Sequence, residues 1–236
     1  MELRCVWEHN GDDTLLYLAD LTGAFTRGAT LSEAACKLER EAAAYCRWLD
    51  LPAPEPDAAV HIVQVHTSEA DVCDADTDVL FDSERGPLAP EEYARLKALA
   101  LRSAEDFLTL YEAVPQKDVS TLPWRATFYG RAPRTAREMY QHAQSVNASY
   151  FGKAGAEADN VGDIRACRAR GFAALEARPG YLENPVCTDG YGEPWSLKKV
   201  LRRFLFHDRI HARALWRMAR STFGADAVPD VFRFGG

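Results

Sequence analysis

The sequence predicts an α+β fold in two parts: a small β-sheet covered by one helix, then a four-helix bundle. Three observations carry this. Short strand-like runs flank the turn-forming Asn10, Gly11 and Asp12 near the start. From residue 90 onward, four segments carry apolar residues at three-four spacing. The last of these, WSLKKVLRRFLFHDRIHARALWRMARST at 195–222, contains no Gly or Pro and holds two histidines four residues apart.

In order, residues 3–8 and 14–20 form a hairpin, and 23–27 add a third short strand. Thr30 and Glu33 stand at capping-box spacing and open a helix to about Leu49, with Leu31, Ala34, Ala35, Leu38, Ala42, Tyr45 and Leu49 inward. Pro52, Pro54 and Pro56 end it, and the alternation of Val60, Ile62 and Val65 returns a strand over 59–67. Residues 1–67 are thus one module. Residues 68–86 are acidic and turn-rich and are expected to act as a linker. Their DADTD run lacks the glycine and downstream Glu of a calcium-binding loop.

Residues 87–236 form the second domain. Pro90 opens a helix to about Val114, with Tyr93, Leu96, Ala100, Ser103, Phe107 and Leu110 on its core line. Residues 122–134 are too rich in Pro, Gly and aromatics for helix. Thr135 and Glu138 cap a second helix over 135–153, on which Met139, His142, Val146 and Ser149 share a seam. A third covers 161–177 with Ile164, Cys167, Gly171 and Leu175 inward, and a turn-rich loop follows over 181–194. On the final helix the seam is Leu197, Val200, Phe204, His207, His211, Ala214 and Met218. The opposite face, Lys198, Lys199, Arg202, Arg203, Arg209, Arg213, Arg217 and Arg220, is expected to meet solvent. The tail at 228–234 is expected to dock on the bundle through Val231, Phe232 and Phe234.

Imidazoles in a core stripe need partners, and a divalent metal suits two neutral rings at i and i+4. His142 supplies a third core-facing ring, so His142, His207 and His211 are the expected metal ligands, while His9, His61 and His66 lie in the N-terminal module. Three protein ligands leave coordination positions for water or a thiol. Asp208 stands where the metalloprotease pattern HExxH requires Glu, which speaks against a protease. Tyr140, Gln141, Asn147 and Tyr150 are candidate pocket residues, each equally readable as packing, and Cys167 reads as a small core residue rather than a nucleophile.

Composition bounds the rest. The chain has 236 residues, 47% of them hydrophobic, enough for a full core. Net charge is −7, which argues against general nucleic-acid binding. No apolar run approaches the roughly 18 residues that span a bilayer, and the N-terminus lacks a signal-peptide core, so a cytoplasmic protein with no membrane partner is expected. The six cysteines show no CxxC pair and are expected to be free thiols.

Two resemblances add to this reading. The segment GAFTRGATLSEAACKLEREAAAYCRWL, with Gly28, Thr30, Glu33 and Ala34 in a G-x-T-x-x-E-A turn, resembles the HicB-type antitoxin module over some 65 residues, which implies its sheet-and-helix fold and a binding role. Residues 87–236, with His142 on the second helix, His207 and His211 on the fourth, and the WSLKKVLRR opening, resemble the DinB-like superfamily. That resemblance implies a zinc or nickel ion on the three histidines and, for some members, transfer of a low-molecular-weight thiol to a small-molecule electrophile. The alternatives are a metal-dependent hydrolase, or a non-catalytic metal-containing protein in which the HicB-like module recruits a partner. Monomer and homodimer both stay open as the assembly.

Overall fold

The computed structural model describes residues 2–127 and 129–235 and is α+β, a four-stranded sheet followed by helices. The chain forms two compact units: residues 1–83 with 232–236, and residues 84–231.

In the first unit, β1 (Leu3–Asn10) and β2 (Asp13–Leu18) pair antiparallel across a turn whose Gly11 sits at φ +59°. Strand β3 (Phe25–Gly28) adds antiparallel to β2, and β4 (Val60–Thr67) adds parallel to β1, giving the order β3-β2-β1-β4. A parallel return requires a crossover. Two helices supply it, α1 (Leu31–Ala35) and α2 (Leu38–Trp48), where the sequence suggests one helix to Leu49. The break has a visible cause. The Ala34 carbonyl, which a continuous helix would offer to Leu38, accepts instead from the Thr26 hydroxyl at 2.8 Å and from Lys37 N–H at 3.2 Å. The expected cap forms, with Thr30 Oγ1 accepting from Glu33 N–H and the Glu33 carboxylate accepting from Ala29 N–H. Gly28 is required there because a Cβ would lie 2.6 Å from Glu33 Cβ and 2.8 Å from Ala34 N.

Residues 68–83 do not behave as the expected linker. Val79, Leu80 and Phe81 are buried, and Phe81 meets Tyr17 edge to face at 5.3 Å between centroids. The Glu8 carboxylate, also buried, gathers the segment by accepting from Thr77 Oγ1 (2.5 Å), Asp78 N–H (2.9 Å) and Val79 N–H (3.1 Å), as well as from Tyr17 OH (2.8 Å). The acidic run therefore belongs to the sheet unit because its one apolar cluster can be buried there. The tail also departs from expectation: Phe232 packs on Trp48 at 5.2 Å and belongs to the sheet unit.

The second unit packs α3 (Pro90–Ala113), α4 (Ala136–Lys153), α5 (Ile164–Glu176) and α6 (Leu197–Phe223) around one core, in which Phe204 touches Tyr150, Phe151 and Phe172. Two short ladders, β5 (Ala126–Thr127) with β6 (Gly130–Arg131) and β7 (Cys187–Thr188) with β8 (Pro194–Trp195), close the loops before α4 and α6. The α3 core line is buried at all six predicted positions. The α4 stripe is displaced by one residue: Tyr140, Ala143, Asn147, Tyr150 and Phe151 are buried with Met139, whereas Ser149 is exposed.

Helix α6 corrects the expected basic face. Lys199, Arg202 and Arg209 are buried, because partners outside the helix reach two of them: Glu193 meets Lys199 at 2.8 Å and Glu84 meets Arg202 at 2.5 Å. Among the described residues, no helix is long and apolar enough to cross a membrane.

Candidate metal centre

His207 and His211 share a face of α6, whose start is capped by Ser196 Oγ accepting from Lys199 N–H at 3.2 Å. His142 comes from α4, where the Thr135–Glu138 capping box forms in full. A complete cap fixes the first turn and hence the direction of the rings two turns later. The three rings converge, with centroids 5.1 Å (His142–His207), 4.6 Å (His142–His211) and 4.5 Å (His207–His211) apart. Each offers a ring nitrogen within 4.8 Å of the others.

Burial holds all three imidazoles neutral. The proton affinity of His207 falls well below the usual histidine range, first through burial and then through repulsion from His211, His142, Arg203 and Arg168. His211 is lowered to about 3 by burial and by His142, and His142 is lowered by burial. Neutral rings present lone pairs, the form in which imidazole binds a metal. His207 Nδ1 is buried with no hydrogen-bond partner among the described residues. A buried ring nitrogen without a partner costs about 1–3 kcal/mol, and a cation shared with two neighbouring imidazoles removes that cost. The donor set therefore fits a divalent metal ion held by three neutral nitrogens.

Asp208 sits beside the first α6 histidine but does not face the site. Both its oxygens receive Arg168, at 3.0 and 3.1 Å, and both side chains are fully buried. Arg168 also donates to Ala100 O (3.2 Å) and Asn147 Oδ1 (3.3 Å) and lies over the Phe204 ring at 3.9 Å. One guanidinium on α5 thus reaches α3, α4 and α6. Of the other candidates, Tyr140 OH accepts from Ile164 N–H and Asn147 is bonded to Asp159 O and Cys167 O, so both serve packing. Gln141 is exposed, Cys167 is buried in the core, and only Tyr150 approaches the site, 6.1 Å from the His207 ring.

Two neighbours were not singled out as pocket residues in the sequence. Tyr129, in the 122–134 loop, stacks on His142 with centroids 5.4 Å apart. Arg203 lies one turn before His207, and the signal was present as four-residue spacing, R-x-x-x-H-x-x-x-H over 203–211. A second group of candidate ligands, Glu8, His66 and Asp78, occurs in the sheet unit. There the Glu8 oxygens already accept four hydrogen bonds and His66 Nε2 meets Asp78 at 2.7 Å, so the cluster is structural.

No protein-family model, curated protein or solved structure matches the chain.

Proposed function

We propose that this protein is a metal-dependent enzyme whose His142, His207 and His211 hold a zinc or nickel ion and which transfers a low-molecular-weight thiol to a small electrophilic substrate. The observation that carries the reading is the convergence of three neutral imidazoles, one with a buried nitrogen unpartnered among the described residues, on a spot where those residues add no carboxylate or thiol ligand. The resemblance of residues 87–236 to the DinB-like superfamily supports the same assignment.

When bound, a divalent metal supplies Lewis acidity and favours the deprotonated form of a thiol that reaches it. The protein's own part is to keep the histidines neutral, to wall the site with the Tyr129 and Tyr150 rings, and to keep Asp208 occupied by Arg168. With that carboxylate engaged, hydrolysis lacks its most obvious base, which favours thiol transfer over a hydrolase. In the transfer the thiol gives its proton to solvent and its sulfur lone pair forms the bond to the electrophilic carbon. The leaving group departs with the electrons of the bond that breaks.

Elemental analysis of protein purified without a His-tag tests the centre. His142→Ala, His207→Ala and His211→Ala should each lose bound metal while His61→Ala keeps it, and full retention in all three would sink the site. In cobalt-substituted protein a small thiol should give an intense sulfur-to-cobalt band that His211→Ala lacks. A spectrum indifferent to thiols but altered by phosphates would shift the reading to metal-assisted hydrolysis.

A further inference from the structure

The sheet unit holds a cavity of about 230 Å³. The start of β2 supplies Asp13 and Thr14, β3 supplies Arg27, the turn between α1 and α2 supplies Lys37, and the 72–74 turn closes the space with Val72 and Cys73. Across β2 and β3, Thr14 pairs with Gly28 and Leu15 with Arg27. Asp13 lies two residues before Leu15, so it projects to the same face as Arg27, on the diagonal and about 7–8 Å away. That spacing is long for a direct ion pair, and among the described residues Asp13, Arg27 and Lys37 make none.

Backbone carbonyls hold the two cations in place instead. Lys37 Nζ donates to Arg27 O at 2.7 Å, and Arg27 Nη1 donates to Cys73 O at 3.4 Å. An ammonium has three donors and a guanidinium five, so each keeps most of its capacity, and the Asp13 carboxylate engages no described group. The other polar groups nearby are committed: Thr14 Oγ1 to Asp12 O and Trp7 Nε1, and the Glu33 carboxylate to Ala29 N–H. The cavity thus presents two positive groups and one negative group, in a volume below the roughly 300 Å³ at which pockets for drug-sized ligands begin.

We propose that this cavity binds a small molecule with two anionic groups and one ammonium group, of which a dicarboxylic amino acid is the simplest. The carboxylates go to Arg27 and Lys37, and the ammonium goes to Asp13. Arg27 takes a carboxylate edge-on through paired N–H donors, whereas Lys37 acts as a point charge, so the two cations tell the two carboxylates apart. Each group of the ligand meets one of opposite sign, and none of the three side chains gives up an ion pair with a described residue to receive it.

Cys73 supplies the readout: it is an exposed free thiol that lines the cavity, and Cys187, an exposed free thiol of the helical unit, is the control. Full-length protein is alkylated with iodoacetamide at constant ionic strength, and each cysteine is followed by peptide mass spectrometry. The probes are L-glutamate, glutarate, which lacks the ammonium, and γ-aminobutyrate, which lacks one carboxylate. L-glutamate should slow alkylation of Cys73 and not of Cys187, with a half-protecting concentration about tenfold below that of either analogue, the usual worth of a charge-assisted hydrogen bond. Asp13→Asn should erase the advantage over glutarate, and Arg27→Gln should weaken protection by all three. Equal protection by the three probes, a ranking that both variants leave unchanged, or no protection at all overturns the site. Should a variant fail to fold, the ranking of the three probes in the wild type still decides.

Discussion

Removing the Asp208 carboxylate should destabilise the helical unit by about 3–5 kcal/mol, the penalty for leaving one partner of a buried ion pair alone. The structure supports the upper part of that range. Arg168 and Asp208 share two hydrogen bonds at 3.0 and 3.1 Å, both side chains are wholly buried, and charge-assisted bonds contribute about 1.5–3 kcal/mol each. In Asp208→Ala the guanidinium keeps Ala100 O, Asn147 Oδ1 and the Phe204 ring but loses its counter-charge. The Arg168→Met/Asp208→Leu double variant removes both charges together, and such replacements are neutral or stabilising elsewhere. Urea unfolding of the metal-free protein, followed by far-ultraviolet circular dichroism, should show the double variant more stable than Asp208→Ala, with a coupling of at least about 2 kcal/mol. Additive effects, or an Asp208→Ala cost under about 1 kcal/mol, would refute the idea that this pair pins four helices.

Three further outcomes follow from other parts of the molecule. Because His142, His207 and His211 have folded proton affinities below the unfolded value of about 6.5, the unfolded chain takes up protons that the folded chain refuses once pH falls below that value. Metal-free protein should therefore lose stability as pH falls through that value, by about 1 kcal/mol at His211 between pH 7 and pH 5.5, with the loss at His211 continuing toward pH 3. His211→Asn should flatten the urea midpoint against pH, and an unchanged slope would count against it. A fragment of residues 84–231 should fold and take up metal, whereas one beginning at residue 87 lacks Glu84 and should be about 3–5 kcal/mol less stable, since Glu84 pairs with the buried Arg202. Equal midpoints for the two fragments would contradict this. Gly171→Ala places a methyl group within the Phe151 ring, 2.7 Å from its Cζ, and should cost about 1–3 kcal/mol by thermal denaturation; a neutral result would show that Phe151 can move aside.

Elements with strong local patterns were legible in the sequence, and interactions set by distant residues were not. The α3 core line and the Thr30 and Thr135 caps depend on neighbours within a few positions, so spacing sufficed. The α4 stripe was read one residue off because Tyr140 and Asn147 look polar, while their buried bonds come from Ile164, Asp159 and Cys167. Lys199 and Arg202 looked like solvent-facing cations because nothing within α6 announces Glu193 or Glu84, the latter 118 residues away. The histidine triad was legible as residue types on two helices, since i and i+4 share a face on any helix. Arg203 obeys the same rule, four residues before His207, but was assigned to the solvent-facing basic side because the apolar seam was followed through Phe204.

Phe232 carries a consequence for how the protein is made. Synthesis runs from the N-terminus, so residues 1–83 emerge with the aromatic face of Trp48 uncovered, and the whole of 84–231 must follow before its partner arrives. Of these two units, the earlier to leave the ribosome is thus the later to be finished. Until then Trp48 is an adhesive surface on a nascent chain, and loss of the final turn would expose it permanently.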